Sequence, residues 1–121
     1  MKYEKYILVY ESGIYDFRCG YVEYHAHLAT DAERRANLID GGGRFAIDEN
    51  KKEVRLWGSS DDFGYPKNIE KALKQCYNQL MRDINEYYYY KTKGEKDLNM
   101  DEFKLVYVDQ NNEGHEIPKR K

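Results

Sequence analysis

Asn68-Ile69-Glu70-Lys71-Ala72-Leu73-Lys74-Gln75-Cys76-Tyr77-Asn78-Gln79-Leu80-Met81-Arg82-Asp83-Ile84 follows Pro66 and carries its apolar residues in one stripe. Ile69, Ala72, Leu73, Cys76, Tyr77, Leu80, Met81 and Ile84 fall at i, i+3, i+4, i+7 spacing, which puts them on one face of a helix. The spacing predicts a helix from about Asn68, as its N-cap, to Glu86, with that face in the core. Cys76 and Met81 belong to the stripe and are read as core residues. A helix with one apolar face has to lie on another layer, so the segments around it decide what that layer is.

They read as strands. Tyr6-Ile7-Leu8-Val9-Tyr10 is an unbroken run of β-formers that stops at Ser12-Gly13. Asp16 to Val22 is a second strand, interrupted by Gly20. From Glu23 or Tyr24 the period changes: Leu28, Ala32, Ala36 and Ile39 recur at helical spacing, and Gly41-Gly42-Gly43 ends that helix. Arg44 to Ile47 and Glu53 to Trp57 both alternate, with a turn at Asp48 to Lys52 between them, which predicts a β-hairpin. Phe103, Leu105 and Tyr107 alternate with Lys104, Val106 and Val108 in a last strand. The predicted order is β-β-α-β-β-α-β, an α/β (α+β) fold with a single mixed β-sheet and two main helices. Residues 1–121 are expected to form a single domain, with about 110–121 as a mobile polar tail.

Composition narrows the function classes. Apolar residues make up 40% and charged residues 35%, a globular balance, and the formal net charge of −2 supplies no basic field for nucleic acid. Cys19 and Cys76 are too few and too far apart for a disulfide framework or a zinc site, and are expected to be reduced thiols. The apolar run near the N-terminus is too short for a signal peptide or a membrane span. These features point to the cytoplasm, with neither nucleic acid nor membrane as a partner.

Of the three histidines, His115 lies in the polar tail. His25 and His27 sit where a strand gives way to a helix, and no third ligand stands near them at a recognisable metal spacing. Gly41-Gly42-Gly43-Arg44 offers bare amides followed by a planar cation, a combination suited to an anion nest. Gly58 to Gly64 is a second loop, with hydroxyls at Ser59 and Ser60. Together these features suggest an anion held beside a proton-transfer group, with no metal and no cofactor.

Lys5-Tyr6-Ile7-Leu8-Val9, Glu23-Tyr24-His25-Ala26, Gly41-Gly42-Gly43-Arg44, Lys51-Lys52-Glu53-Val54-Arg55-Leu56-Trp57-Gly58-Ser59-Ser60 and Phe63-Gly64 are similar, in order and spacing, to the Janus/Ocnus family of protein phosphohistidine phosphatases. The resemblance covers about residues 5–66. It implies that His25 is catalytic, that Lys5 and Arg44 contact the phosphoryl group, and that Ser60, Asp61 and Asp62 bind phosphate, with Gly43, Ser59 and His27 in support. It implies a metal-independent hydrolase of phosphohistidine or related N-phosphorylated side chains, acting on a phosphorylated protein or a small phosphorylated molecule. Two positions depart from the family pattern: Asp62 stands where a small residue is usual, and His27 where an acidic one is. A carboxylate facing a phosphate repels it. The alternative is therefore a non-catalytic binding module that captures a phosphorylated protein or metabolite in the same pocket.

Overall fold

A computed structural model describes residues 1–119. Its core is one six-stranded mixed sheet in the order β2-β1-β3-β4-β5-β6, with β1 Tyr3–Glu11, β2 Ile14–Val22, β3 Ile39–Asp48, β4 Glu53–Trp57, β5 Lys104–Val108 and β6 Gly114–Ile117. All neighbours are antiparallel except β4 and β5, which run parallel. The α+β class and mixed sheet read from the sequence are those of the protein. Among the described residues no helix is long and apolar enough to cross a membrane.

β1 shows why its sequence lacks alternation. Tyr6 and Leu8 point into the main core, while Ile7 and Val9 point to the opposite face and are buried there too. A strand covered on both sides reads as a continuous apolar run. The main core lies between the sheet and two consecutive helices, α2 Ile69–Gln75 and α3 Tyr77–Lys91. Ile69, Leu73, Tyr77, Leu80 and Ile84 are all buried there, so the predicted register holds. The helix itself is interrupted. Cys76 leaves helical geometry (φ −97°, ψ 16°), yet its amide still donates to Ala72 and its carbonyl accepts from Leu80. The stripe therefore continues across the break.

Three expectations are corrected. The first predicted helix is a 3-10 turn, His25–Leu28, followed by a single short helix, α1 Asp31–Arg35. Thr30 supplies a capping box with Glu33 and so starts a new helix in mid-segment, and Asn37, at φ 58°, turns the chain out of it. Ile39 consequently belongs to β3. Gly41, Gly42 and Gly43 do not end a helix but lie inside that strand. Finally, the segment expected as a tail closes the sheet: β6 pairs with β5 and seats Ile117 in the core, anchoring four residues through one apolar side chain. Residues 120 and 121 of that segment lie outside the described residues.

Candidate functional site

The face of the sheet opposite α2 and α3 carries the candidate residues. In antiparallel register Lys5 lies directly across from Arg44, and Arg44 across from Trp57. Directly opposed residues share a face, so Lys5, Arg44 and Trp57 form a row across β1, β3 and β4. Like charges in directly opposed positions are unfavourable. The structure offsets this through other groups. Arg44 lies over the ring of Tyr3 at 3.8 Å and near Trp57 at 5.7 Å, two cation–π contacts. Lys5 Nζ donates to the carbonyl oxygen of Glu23. Among the described residues neither cation has a carboxylate partner, so the row presents uncompensated positive charge.

His25 opens the 3-10 turn just after β2 and is 5% exposed. Its Nε2 lies 2.8 Å from the carbonyl oxygen of Gly43. A carbonyl can only accept, so Nε2 carries the proton and the lone pair of the neutral ring is on Nδ1. Nδ1 has no protein partner among the described residues and is not sealed from solvent. Burial, foremost, lowers the His25 pKa below its usual value; the Gly43 bond raises it, nearby Lys5 lowers it, and Asp62 and Asp61 raise it. The net direction favours a neutral imidazole at pH 7.

The three glycines have a different role from the expected nest. Their backbone is strand, and the amide of Gly42 donates to Gly64. A Cβ at Gly42 would strike the carbonyl oxygen of Tyr6 and come within 3.1 Å of His25 Cδ2. One at Gly43 would strike the Trp57 carbonyl oxygen, and one at Gly41 would lie 2.6 Å from Pro66 N. The run lets β3 pass close beneath the imidazole and brings the Gly43 carbonyl to it.

The loop after β4 forms a tight bridge in which Ser60 and Gly64 exchange backbone bonds. Ser60 is buried, and its Oγ accepts from the amides of Asp62 and Phe63. The amides of Ser60 and Asp62 are thus spent inside the loop. The amides of Ser59 and Asp61 have no bond among the described residues. Asp62 does not point away from the site. Its Oδ2 accepts from the amide of Ala26 at 3.3 Å, capping the 3-10 turn next to His25. His27 is exposed, with its ring edge-on to Tyr24 at 5.4 Å.

The turn itself is held from the other side. Arg34 of α1 donates to the carbonyls of Ala26 and Ala29, and Arg18 of β2 grips Glu33 through its two terminal guanidinium nitrogens, each at 2.5 Å. Sequence reasoning missed Tyr3, Trp57, Arg18 and Arg34. Of these only Trp57 had a signal, since the hairpin register sets it opposite Arg44. Cys19 and Cys76 are both free, and burial pushes each thiol up to about 12. Asp109, Glu113 and His115 bring potential ligand atoms within 4.8 Å of one another. Asp109 is already used there: it accepts from the amides of Asn111 and Glu113 and pairs with His115 at 2.7 Å. That cluster caps the β5–β6 turn. No family model and no curated protein sequence matches the chain.

Proposed function

We propose that this protein hydrolyses the P–N bond of phosphohistidine or related N-phosphorylated side chains without a metal, using His25. The observation that carries this reading is the His25–Gly43 bond, which fixes the tautomer and turns an unprotonated Nδ1 outward on the face that also carries Lys5 and Arg44. In the proposed reaction a water oxygen attacks phosphorus as the P–N bond breaks. His25 Nδ1 takes the water proton, and the leaving nitrogen takes a proton from solvent. Lys5, Arg44 and the Asp61 amide hold the phosphoryl oxygens as their charge develops. Arg44, stacked on Tyr3, keeps its planar fork in one orientation for two of those oxygens.

The test is release of inorganic phosphate from N-phosphoimidazole and from a phosphohistidine peptide. His25→Ala is expected to reduce kcat/KM at least ~100-fold, the scale of a lost general base, while phosphate binding persists. Because the His25 pKa lies below 6.5, activity rises with pH through that lowered value and is flat above it. A chelator leaves the rate unchanged. A second reading, a binding module without turnover, is favoured by one observation: the Asp62 carboxylate already occupies the Ala26 amide beside His25. Wild-type protein that binds phosphorylated ligands tightly but releases no phosphate would establish that reading instead.

A further inference from the structure

β2 is an edge strand of the sheet, and its outer side is covered over only part of its length. The amide of Tyr15 donates to Gln75 Oε1 at 2.6 Å, and Gln75 Nε2 donates to the Gly13 carbonyl at 2.9 Å. Gln79 accepts from the Phe17 amide at 2.9 Å and donates to the Phe17 carbonyl at 2.6 Å, so its side chain takes the place of a neighbouring strand. The register of β2 on β1 is continuous, so the odd-numbered residues of β2 all turn their backbone groups outward. Cys19 and Tyr21 come next in that series, and their amides have no partner among the described residues. There no helix side chain bonds the edge backbone, and a groove of about 1330 Å³ opens between β2 and α3, lined among others by Tyr3, Cys19, Tyr21, Glu86, Tyr87 and Tyr90.

We infer that this open edge binds an extended peptide segment of the substrate protein by adding it to the sheet as a strand beside Cys19–Tyr21. The inference rests on the phosphatase reading for the identity of the peptide, but not for the docking. Outward amides two residues apart match the repeat of an extended backbone and of nothing smaller. Exposed edges are normally blunted by charge, proline or a bulge, and this protein blunts only the half next to Gln75 and Gln79. A second copy is the poorer occupant. Pairing over Cys19–Tyr21 alone is too short to bury the ~1,000 Å² that a stable dimer needs. The edge is also continuous with the site: Gly20 lies across from Lys5, which lies across from Arg44, and β2 runs directly into the turn that carries His25. Side chains of an added strand alternate between the aromatic groove and the face of Lys5 and His25, so apolar residues flanking the phosphorylated one fit the groove.

The experiment compares hydrolysis of N-phosphoimidazole with that of a heptapeptide whose central phosphohistidine is flanked by valines. Each is assayed with wild type and with Tyr21→Pro, which removes an outward amide and no bond to β1. The expected result is a KM for the peptide raised about fivefold to tenfold, the scale of one or two backbone hydrogen bonds, with N-phosphoimidazole kinetics unchanged. The same rise is expected with wild type when the peptide is N-methylated at alternate residues, a control that does not depend on how the variant folds. Equal KM values for the methylated and unmethylated peptides would overturn the inference, as would concentration-dependent dimerisation abolished by Tyr21→Pro. If wild type hydrolyses neither substrate, hydrogen exchange decides: protection of the Cys19 and Tyr21 amides by the unphosphorylated heptapeptide sustains the docking edge while the phosphatase reading falls, and no protection removes both.

Discussion

His25 and Asp62 form an opposed pair of influences on one site. Asp62 supports the geometry by capping the turn and raises the His25 pKa, yet it occupies an amide that an incoming anion could use. Asp62→Ala therefore has two linked effects. It removes a charge worth ~1 kcal/mol of repulsion at close range in a water-like medium, which corresponds to about fivefold tighter phosphate binding. It also lowers the His25 pKa further, moving the acid limb of the pH–activity profile to lower pH. Thermal shift with inorganic phosphate reads the first effect and a pH–rate profile the second. An unchanged phosphate affinity would show that the carboxylate does not compete. The position of His25, just after a strand, was legible in the sequence. Its tautomer was not, because that depends on a carbonyl of β3 brought to it by strand register.

Among the elements, β3 was the hardest to read and is the most constrained. Three consecutive glycines suggest a turn because sequence shows only their freedom, whereas what requires Gly42 and Gly43 is non-local, the Tyr6 carbonyl in β1 and the Trp57 carbonyl in β4, and Gly41 is needed both for its φ of +93° and for the backbone at Pro66. At Gly42 the obstacle is backbone, so no side chain can move aside. Gly42→Ala is expected to cost ~3 kcal/mol or more by forcing β1 and β3 apart. Gly13→Ala is the control. Gly13 has φ +82° and nothing within 4 Å of its Cβ position, so that change costs only the ~1 kcal/mol of a left-handed backbone. Urea denaturation measures both, and equal losses would contradict the close-approach account. α2 and α3 were legible because one stripe of eight apolar residues survives the break at Cys76. The Gly114–Ile117 strand was not, since a single inward Ile117 leaves no period to detect.

Across the whole molecule, the two faces of the sheet are held by different means. α2 and α3 attach through the apolar core, while the segment carrying His25 is tied down by Arg18, Glu33 and Arg34. The Arg18 guanidinium, foremost, holds the Glu33 carboxyl down at about 2, against an ordinary value of 4.5. A carboxyl depressed in the folded state adds stability that is complete above its unfolded pKa and is lost as pH falls through the folded one. The window is pH 4.5 to 2. Allowing for solvent screening at this partly exposed pair, the loss is ~1–2 kcal/mol. Glu33→Gln should remove that part of the acid sensitivity and lower the stability at pH 7 by a similar amount, as denaturation at several pH values would show. A wild-type curve parallel to that of the variant between pH 5 and 2 would rule the pair out as the cause.

The parallel pairing of β5 on β4 also sets the order in which the chain can assemble. β1–β2 and β3–β4 are hairpins, and β1 meets β3 at a middle range, as in Val9 with Ile39, but Val54 and Leu56 find Leu105 and Tyr107 roughly fifty residues later, beyond the whole of α2 and α3. Long loop closures are slow, so nascent or refolding chains pass through a stage in which β4 is an open, apolar edge. Glu53, buried in the finished sheet and paired with Arg55 and Lys104, sits at the end of that edge as a charge that discourages self-association until β5 arrives. A ribosome-released chain lacking residues beyond 103 keeps that edge permanently exposed and is expected to aggregate where the full chain folds.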